Sequence, residues 1–158
     1  MTPRRGWSTL FALLLASWPM PASAQATRST TVVPVQNLSF GLLLPGIRNA
    51  VSVTDVSRRA VVALAGSGPV DIMLVLPAAL ETSTGERIPL RFTSGDAALL
   101  TTSGSTISTL DPLQTNRVQL GNDRTVLFVL GGTAVSTAAT RPGHYVARVA
   151  LILNNPGT

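Results

Sequence analysis

The chain has 158 residues, 45% of them hydrophobic and 4% aromatic, with no cysteine. Twelve arginines and no lysine stand against seven acids, for a net charge of +5. The lack of cysteine excludes a disulfide framework, a thiol nucleophile and thiolate metal ligands. Scattered arginines without stacking aromatics argue against a nucleic-acid partner.

Residues 1–24 read as a secretory signal peptide. Arg4 and Arg5 open it, the apolar run Leu10 to Ala16 follows, Pro19 and Pro21 break it, and Ala22-Ser23-Ala24 supplies a small-residue cleavage site. The run is far short of the roughly 20 residues of a spanning helix, so no membrane span is expected after cleavage. A twin-arginine signal fits less well, because Gly6-Trp7 after the arginine pair carries little of that motif. Cleavage after Ala24 removes Trp7, Trp18 and two arginines. It leaves 134 of the 158 residues, with ten arginines against seven acids and a net charge of +3. A chain of that length supports one domain with its own core.

Residues 25–31 are small and polar and read as a flexible N-terminal arm. Residues 32–155 read as a single all-β sandwich domain, because short apolar stretches alternate with Gly, Pro, Ser, Asn and Asp. No segment holds a helical period between a cap and a stop. Shorter strands are expected at Thr31–Val35, Leu38–Phe40, Val51–Val53, Ala60–Leu64 and Val118–Leu120. Val70–Leu76 and Val126–Leu130 are apolar on both faces and suit central strands, with Asp71 near enough to the first strand's start to reach solvent.

Arg87–Thr93 alternates cleanly, with Ile88, Leu90 and Phe92 on one face. Pro89 cannot donate to a ladder, so this strand is expected at an edge or with a bulge. Between Thr93 and Asn116 the Ser, Thr and Gly content predicts a long loop, with a short strand or one-turn helix near Ala97–Leu100. Asn122-Asp123 is expected to turn the Val118 strand into the Val126 strand as a hairpin. Tyr145–Leu153 reads as the last strand, with Tyr145, Ala147, Val149, Leu151 and Leu153 on one face.

No constellation in the chain carries chemistry. His144 is the only histidine, and no serine sits in Gly-x-Ser-x-Gly; Gly66-Ser67-Gly68 lacks the spacing. One histidine without cysteine makes no ordinary zinc site. Asp55, Asp71, Glu81, Glu86, Asp96, Asp111 and Asp123 are dispersed and mostly beside turn residues. Gly95-Asp96 and Asn122-Asp123 are isolated signals, short of a calcium loop. Gly131-Gly132 and Gly66-x-Gly68 lack the helix and the Lys-Ser/Thr of a phosphate loop. The expectation is a protein that is not an enzyme, with no catalytic, cofactor or metal residues and no cofactor.

Three segments together resemble the bacterial DUF4402 family. They are Asn37-Leu-Ser-Phe-Gly-Leu-Leu-Leu-Pro-Gly46, then Gly66-Ser-Gly-Pro-Val-Asp-Ile-Met-Leu-Val-Leu-Pro77, and lastly Gly131-Gly-Thr-Ala with Arg141-Pro-Gly-His-Tyr-Val-Ala-Arg-Val-Ala-Leu. The likeness spans about residues 33–155. It implies an exported, immunoglobulin-like antiparallel β-sandwich with Greek-key connections, similar to fimbrial subunits and without catalytic residues. Many chaperone–usher pilins carry a disulfide and a C-terminal tyrosine, and this chain has neither.

Two readings of function stay open. One is a structural or adhesive subunit of the cell envelope or surface, in the periplasm, on the surface or outside the cell. Its partners would be itself or other envelope subunits, joined by strand addition. Residues Gln25 to Val35, with Val32, Val33 and Val35, are the candidate donor strand; the alternative is that Thr31–Val35 pairs within its own domain. The other reading is a monomeric periplasmic or secreted module that binds a sugar or anion through the 94–116 loop, with Arg117 and Arg124 nearby. A lone hydrolase is a distant third.

Overall fold

The computed structural model describes residues 30–121 and 124–156. The expected leader and residues 25–29 of the expected arm lie outside that range. Among the described residues there are twelve strands and no helix. They are β1 (Thr31–Gln36), β2 (Arg48–Val51), β3 (Ala60–Ala65), β4 (Gly68–Val75), β5 (Ala79–Glu81) and β6 (Arg87–Arg91), followed by β7 (Ala97–Thr101), β8 (Thr106–Leu110), β9 (Asn116–Leu120), β10 (Thr125–Leu130), β11 (Gly132–Val135) and β12 (Ala150–Asn154).

A five-stranded sheet runs β1-β3-β10-β7-β8 and a three-stranded sheet runs β12-β4-β9. All their pairings are antiparallel. The two sheets share the main core: Leu64, Leu99, Val126, Phe128 and Leu130 from the first meet Val70, Ile72, Val118 and Leu120 from the second. That arrangement is consistent with a β-sandwich. Leu151 and Leu153 of β12 pack on the same core.

A four-stranded antiparallel sheet, β2-β11-β6-β5, gathers a second core of Phe40, Val51, Ile88 and Ala134. Val61, Ala98, Leu100 and Val129 form a third cluster with Val53 and Leu127. In β7, the successive residues Leu99 and Leu100 belong to different clusters. This strand is therefore buried on both faces.

That double burial corrects the expectation for 93–116. The segment is no long loop: β7 and β8 form a hairpin. Ala97–Leu100 carries no polar–apolar alternation because neither face is wet. β10 and β4 occupy central positions, as their two-faced apolar runs predict. Asp71 is only half-buried.

Other expectations need correction. Leu38–Phe40 forms no strand, and the strand expected at Val51–Val53 is Arg48–Val51. Asn122 and Asp123 lie outside the described residues, but β9 and β10 belong to different sheets. The connection between them is thus a crossover and not a hairpin. Thr31, counted with the arm, begins β1.

Pro89 lies on an interior strand, β6, between β11 and β5. Leu90 N–H bonds to the Ala78 carbonyl on the β5 side, so the nitrogen of Pro89 faces β11. The β11–β6 ladder covers only Thr133–Arg91 and Ala134–Leu90. It stops where Pro89 would have had to donate. The last strand is also shorter than expected. Val75 pairs with Ala150, but the next contact is an isolated bridge between Glu81 and Val146. Residues 76–80 therefore face only 147–149, and the ladder opens there.

Gly131 joins the sheets. It is buried between β10 and β11, and a Cβ on it would fall 2.2 Å from the Val51 carbonyl oxygen. Backbone cannot yield as a side-chain tip can, so Gly131→Ala should cost about 1–3 kcal/mol, the usual range for overpacking a filled site. Urea denaturation of the variant beside the parent chain measures it; equal midpoints would refute the close approach.

Candidate functional site

His144, the one histidine, is exposed and lines a cavity of about 490 Å3 with Thr82, Ser83, Thr84, Glu86 and Arg141. The residue types of a hydrolytic triad are thus near one another. Their bonding is otherwise directed: Glu86 pairs with Arg141 at 3.1 Å, and Thr82 Oγ1 accepts the Glu86 N–H. Among the described residues His144 donates to neither a hydroxyl nor a carboxylate, so the relay of nucleophile, base and orienting acid is not assembled.

The acids serve as local staples. Asp55 accepts from Ser57 Oγ and from Arg58. Glu81 pairs with Arg87 at 2.6 Å. Asp96 Oδ2 accepts from the Thr93 N–H and hydroxyl. Asp111 accepts from the Leu113 N–H and Gln114. Asp71 sits directly across the β4–β9 ladder from Arg117 and takes a two-pronged contact, Nε to Oδ1 at 2.7 Å and Nη2 to Oδ2 at 2.9 Å. No group of three metal-ligating side chains occurs among the described residues.

Arg117 is therefore engaged, and the loop of 94–116 that was to bind a ligand with it is a hairpin. Gly66-Ser67-Gly68 lies at the β3–β4 turn. Adjacent Arg58 and Arg59 part company. Arg58 pairs with Asp55 at the surface, whereas Arg59 is buried and donates from Nη1 to the Val53 carbonyl. Its Nε has no acceptor among the described residues.

What the fold leaves open is an edge. β1 ends the five-stranded sheet and β12 ends the three-stranded one. The two meet on one side, where Thr30 Oγ1 donates to Asn155 Oδ1 at 3.2 Å. Thr31–Gln36 pairs with β3 of its own chain, so in this structure the segment is not free as a donor. Val32, Val33 and Val35 are exposed on it. Pro34 and the irregularity after it blunt β1 against further pairing. β12, Ala-Leu-Ile-Leu-Asn, has no charge, proline or bulge. The opposite edges are guarded, β8 by a register shift and β9 by Arg117.

No protein-family model matches the chain, and no curated protein matches it in sequence. No helix among the described residues is long and apolar enough to cross a membrane.

The bidentate contact from Arg117, first through its hydrogen bonds and then through its charge, lowers the Asp71 pKa from its ordinary value. A depressed native pKa means the contribution is present above the ordinary carboxylate value near 4 and is lost as pH falls through the native one. Arg117→Gln should therefore leave a shallower loss of thermal stability on acidification below about pH 4. Melting temperatures taken on a descending pH series would show it; parallel curves would remove Asp71 from the acid response.

Proposed function

We propose that this protein is an exported, non-catalytic structural subunit of the cell envelope or surface, built on an immunoglobulin-like sandwich with Greek-key connections. In this reading it resembles fimbrial subunits, as the three DUF4402-like segments imply, and it assembles by adding a neighbour's strand outside β12. The signal-peptide pattern of residues 1–24 supports export to the periplasm, surface or exterior.

One observation carries the assembly reading. β12 is an uncharged, unbulged edge strand whose outer N–H and C=O groups have no partner strand among the described residues. Edge strands of that kind are templates for pairing, and soluble monomers normally blunt them with lysine, proline or bulges. A neighbour's strand would gain main-chain hydrogen bonds along β12 and bury apolar side chains beside Leu151 and Leu153. Residues 25–35 of a second copy are the sequence-based candidate for that strand, which would require β1 to leave its own β3.

The second reading, a monomeric binding module, has cavities in its favour. One of about 340 Å3 occupies the opened ladder, lined by Pro77, Ala79, Glu81, Arg87, Val146 and Arg148. A sugar or anion would find both signs of charge there.

Light scattering over a concentration series separates the two. The parent chain should form assemblies that grow with concentration. Ala150→Lys with Ile152→Lys, both on the side of β12 away from Leu151 and Leu153, should return it to monomer with little change in melting temperature. A monomeric parent, or assemblies indifferent to the lysines, would overturn the edge reading.

A further inference from the structure

We propose that the loop of residues 41–47, with the arginines beside it, docks this protein on an anionic lipid surface. Leu42 is 83% exposed, and Leu44 and Ile47 are each 51% exposed. The segment Gly-Leu-Leu-Leu-Pro-Gly-Ile carries no charge.

The loop is built to hold those side chains outward. Gly41 and Gly46 bracket it at φ 67° and 77°, left-handed conformations that favour glycine. Buried Ser136 staples it: its hydroxyl donates toward the Leu44 carbonyl at 2.6 Å and the Ile47 carbonyl at 2.8 Å, and accepts from the Ile47 N–H at 3.2 Å. One hydroxyl proton serves the two carbonyls in turn. Asn49 Nδ2 donates to the Phe40 carbonyl at 2.7 Å just before the loop. Leu43 alone turns inward, onto the Phe40 and Val51 core. A collapsing loop would bury all three neighbouring leucines. This one spends a buried serine and two left-handed glycines on keeping two of them, and Ile47, in water.

Charge identifies the occupant. Arg48 follows the loop directly, and Arg48, Arg87 and Arg91 are exposed residues of the four-stranded sheet. Glu81, on the neighbouring β5, is already paired with Arg87. Every described carboxylate is engaged by its own chain, so no described acid of a second copy is free to meet these arginines. Three aliphatic tips on a turn also fall well short of the roughly 800 Å2 per partner of a standard protein interface. They suit insertion at the acyl boundary, with guanidinium groups taking headgroup phosphates. The loop belongs to the four-stranded sheet and leaves the β12 edge clear.

Vesicle co-sedimentation tests this on naturally processed protein whose N-terminus is checked by mass, since Leu10–Ala16 would bind lipid by itself. Binding is expected to phosphatidylglycerol–phosphatidylcholine vesicles, to weaken with salt, and to be slight on phosphatidylcholine alone. Leu42→Ser with Leu44→Ser should lower affinity at least about tenfold, from the lost burial of two leucines. Arg48→Gln with Arg91→Gln should lower it on anionic vesicles only. If the double leucine variant fails to fold, Leu42→Ser alone carries the comparison. Absence of binding, unchanged binding by the leucine variants, or a change in their oligomeric mass without lipid would each overturn the proposal. The last outcome would assign the loop to a protein interface.

Discussion

The passage of β10 into β11 through Gly131 holds the rest of the structure in place. β10 is the middle strand of the five-stranded sheet, and β11 is an interior strand of the four-stranded one. A single glycine lets the chain pass from one to the other with its backbone against the Val51 carbonyl. Two cores, one around Leu64 and Phe128 and one around Val51 and Ile88, are thereby tied to one backbone. At the far end of β11 stands Ser136, whose hydroxyl shapes the 41–47 loop. A constraint at a strand junction thus bears on where the surface loop stands, through Ser136, four residues past β11's start at Gly132.

Polar side chains in this protein mostly spend their bonds on architecture. Carboxylates close turns or pair with arginine across strands, and Asn49, Asn116 and Ser136 satisfy loop carbonyls. The free features are of another kind: an uncharged strand edge, an apolar loop, and exposed arginines on the four-stranded sheet. Those are means of contact between surfaces, and they carry the proposals of strand addition at β12 and lipid docking at the loop.

Local pattern made parts of this legible. The two-faced apolar runs at Val70–Leu76 and Val126–Leu130 announced central strands, and the alternation of Ile88 and Leu90 announced the inner face of β6, while Phe92 falls just past β6 and packs on the main core. Where pattern misled, a second layer had intervened. β7 lost its alternation because a cluster lies on each face. Pro89 entered an interior strand because the β11 ladder ends before reaching it. The final strand broke at 147–149 because the facing chain leaves β4 after Val75 and enters β5, which pairs with β6. Of the contact features, Val32, Val33 and Val35 stood out in sequence; pairing within their own domain was one of the two alternatives, and only the structure chose it and named β3 as the partner. The apolar run from Gly41 was visible only as part of the Asn37–Gly46 segment of the family resemblance, since nothing in its residues tells which leucines face water.

By itself the sequence determined an all-β chain without cysteine, because residue type and spacing decide local conformation and which side-chain chemistries are present. Only the tertiary structure decided which strands became edges, that each described acid already has a partner, and that Leu42 and Leu44 point outward while Leu43 points in. Those outcomes depend on contacts between residues as distant as Leu44 and Ser136, and such pairings are settled by packing rather than by neighbours along the chain.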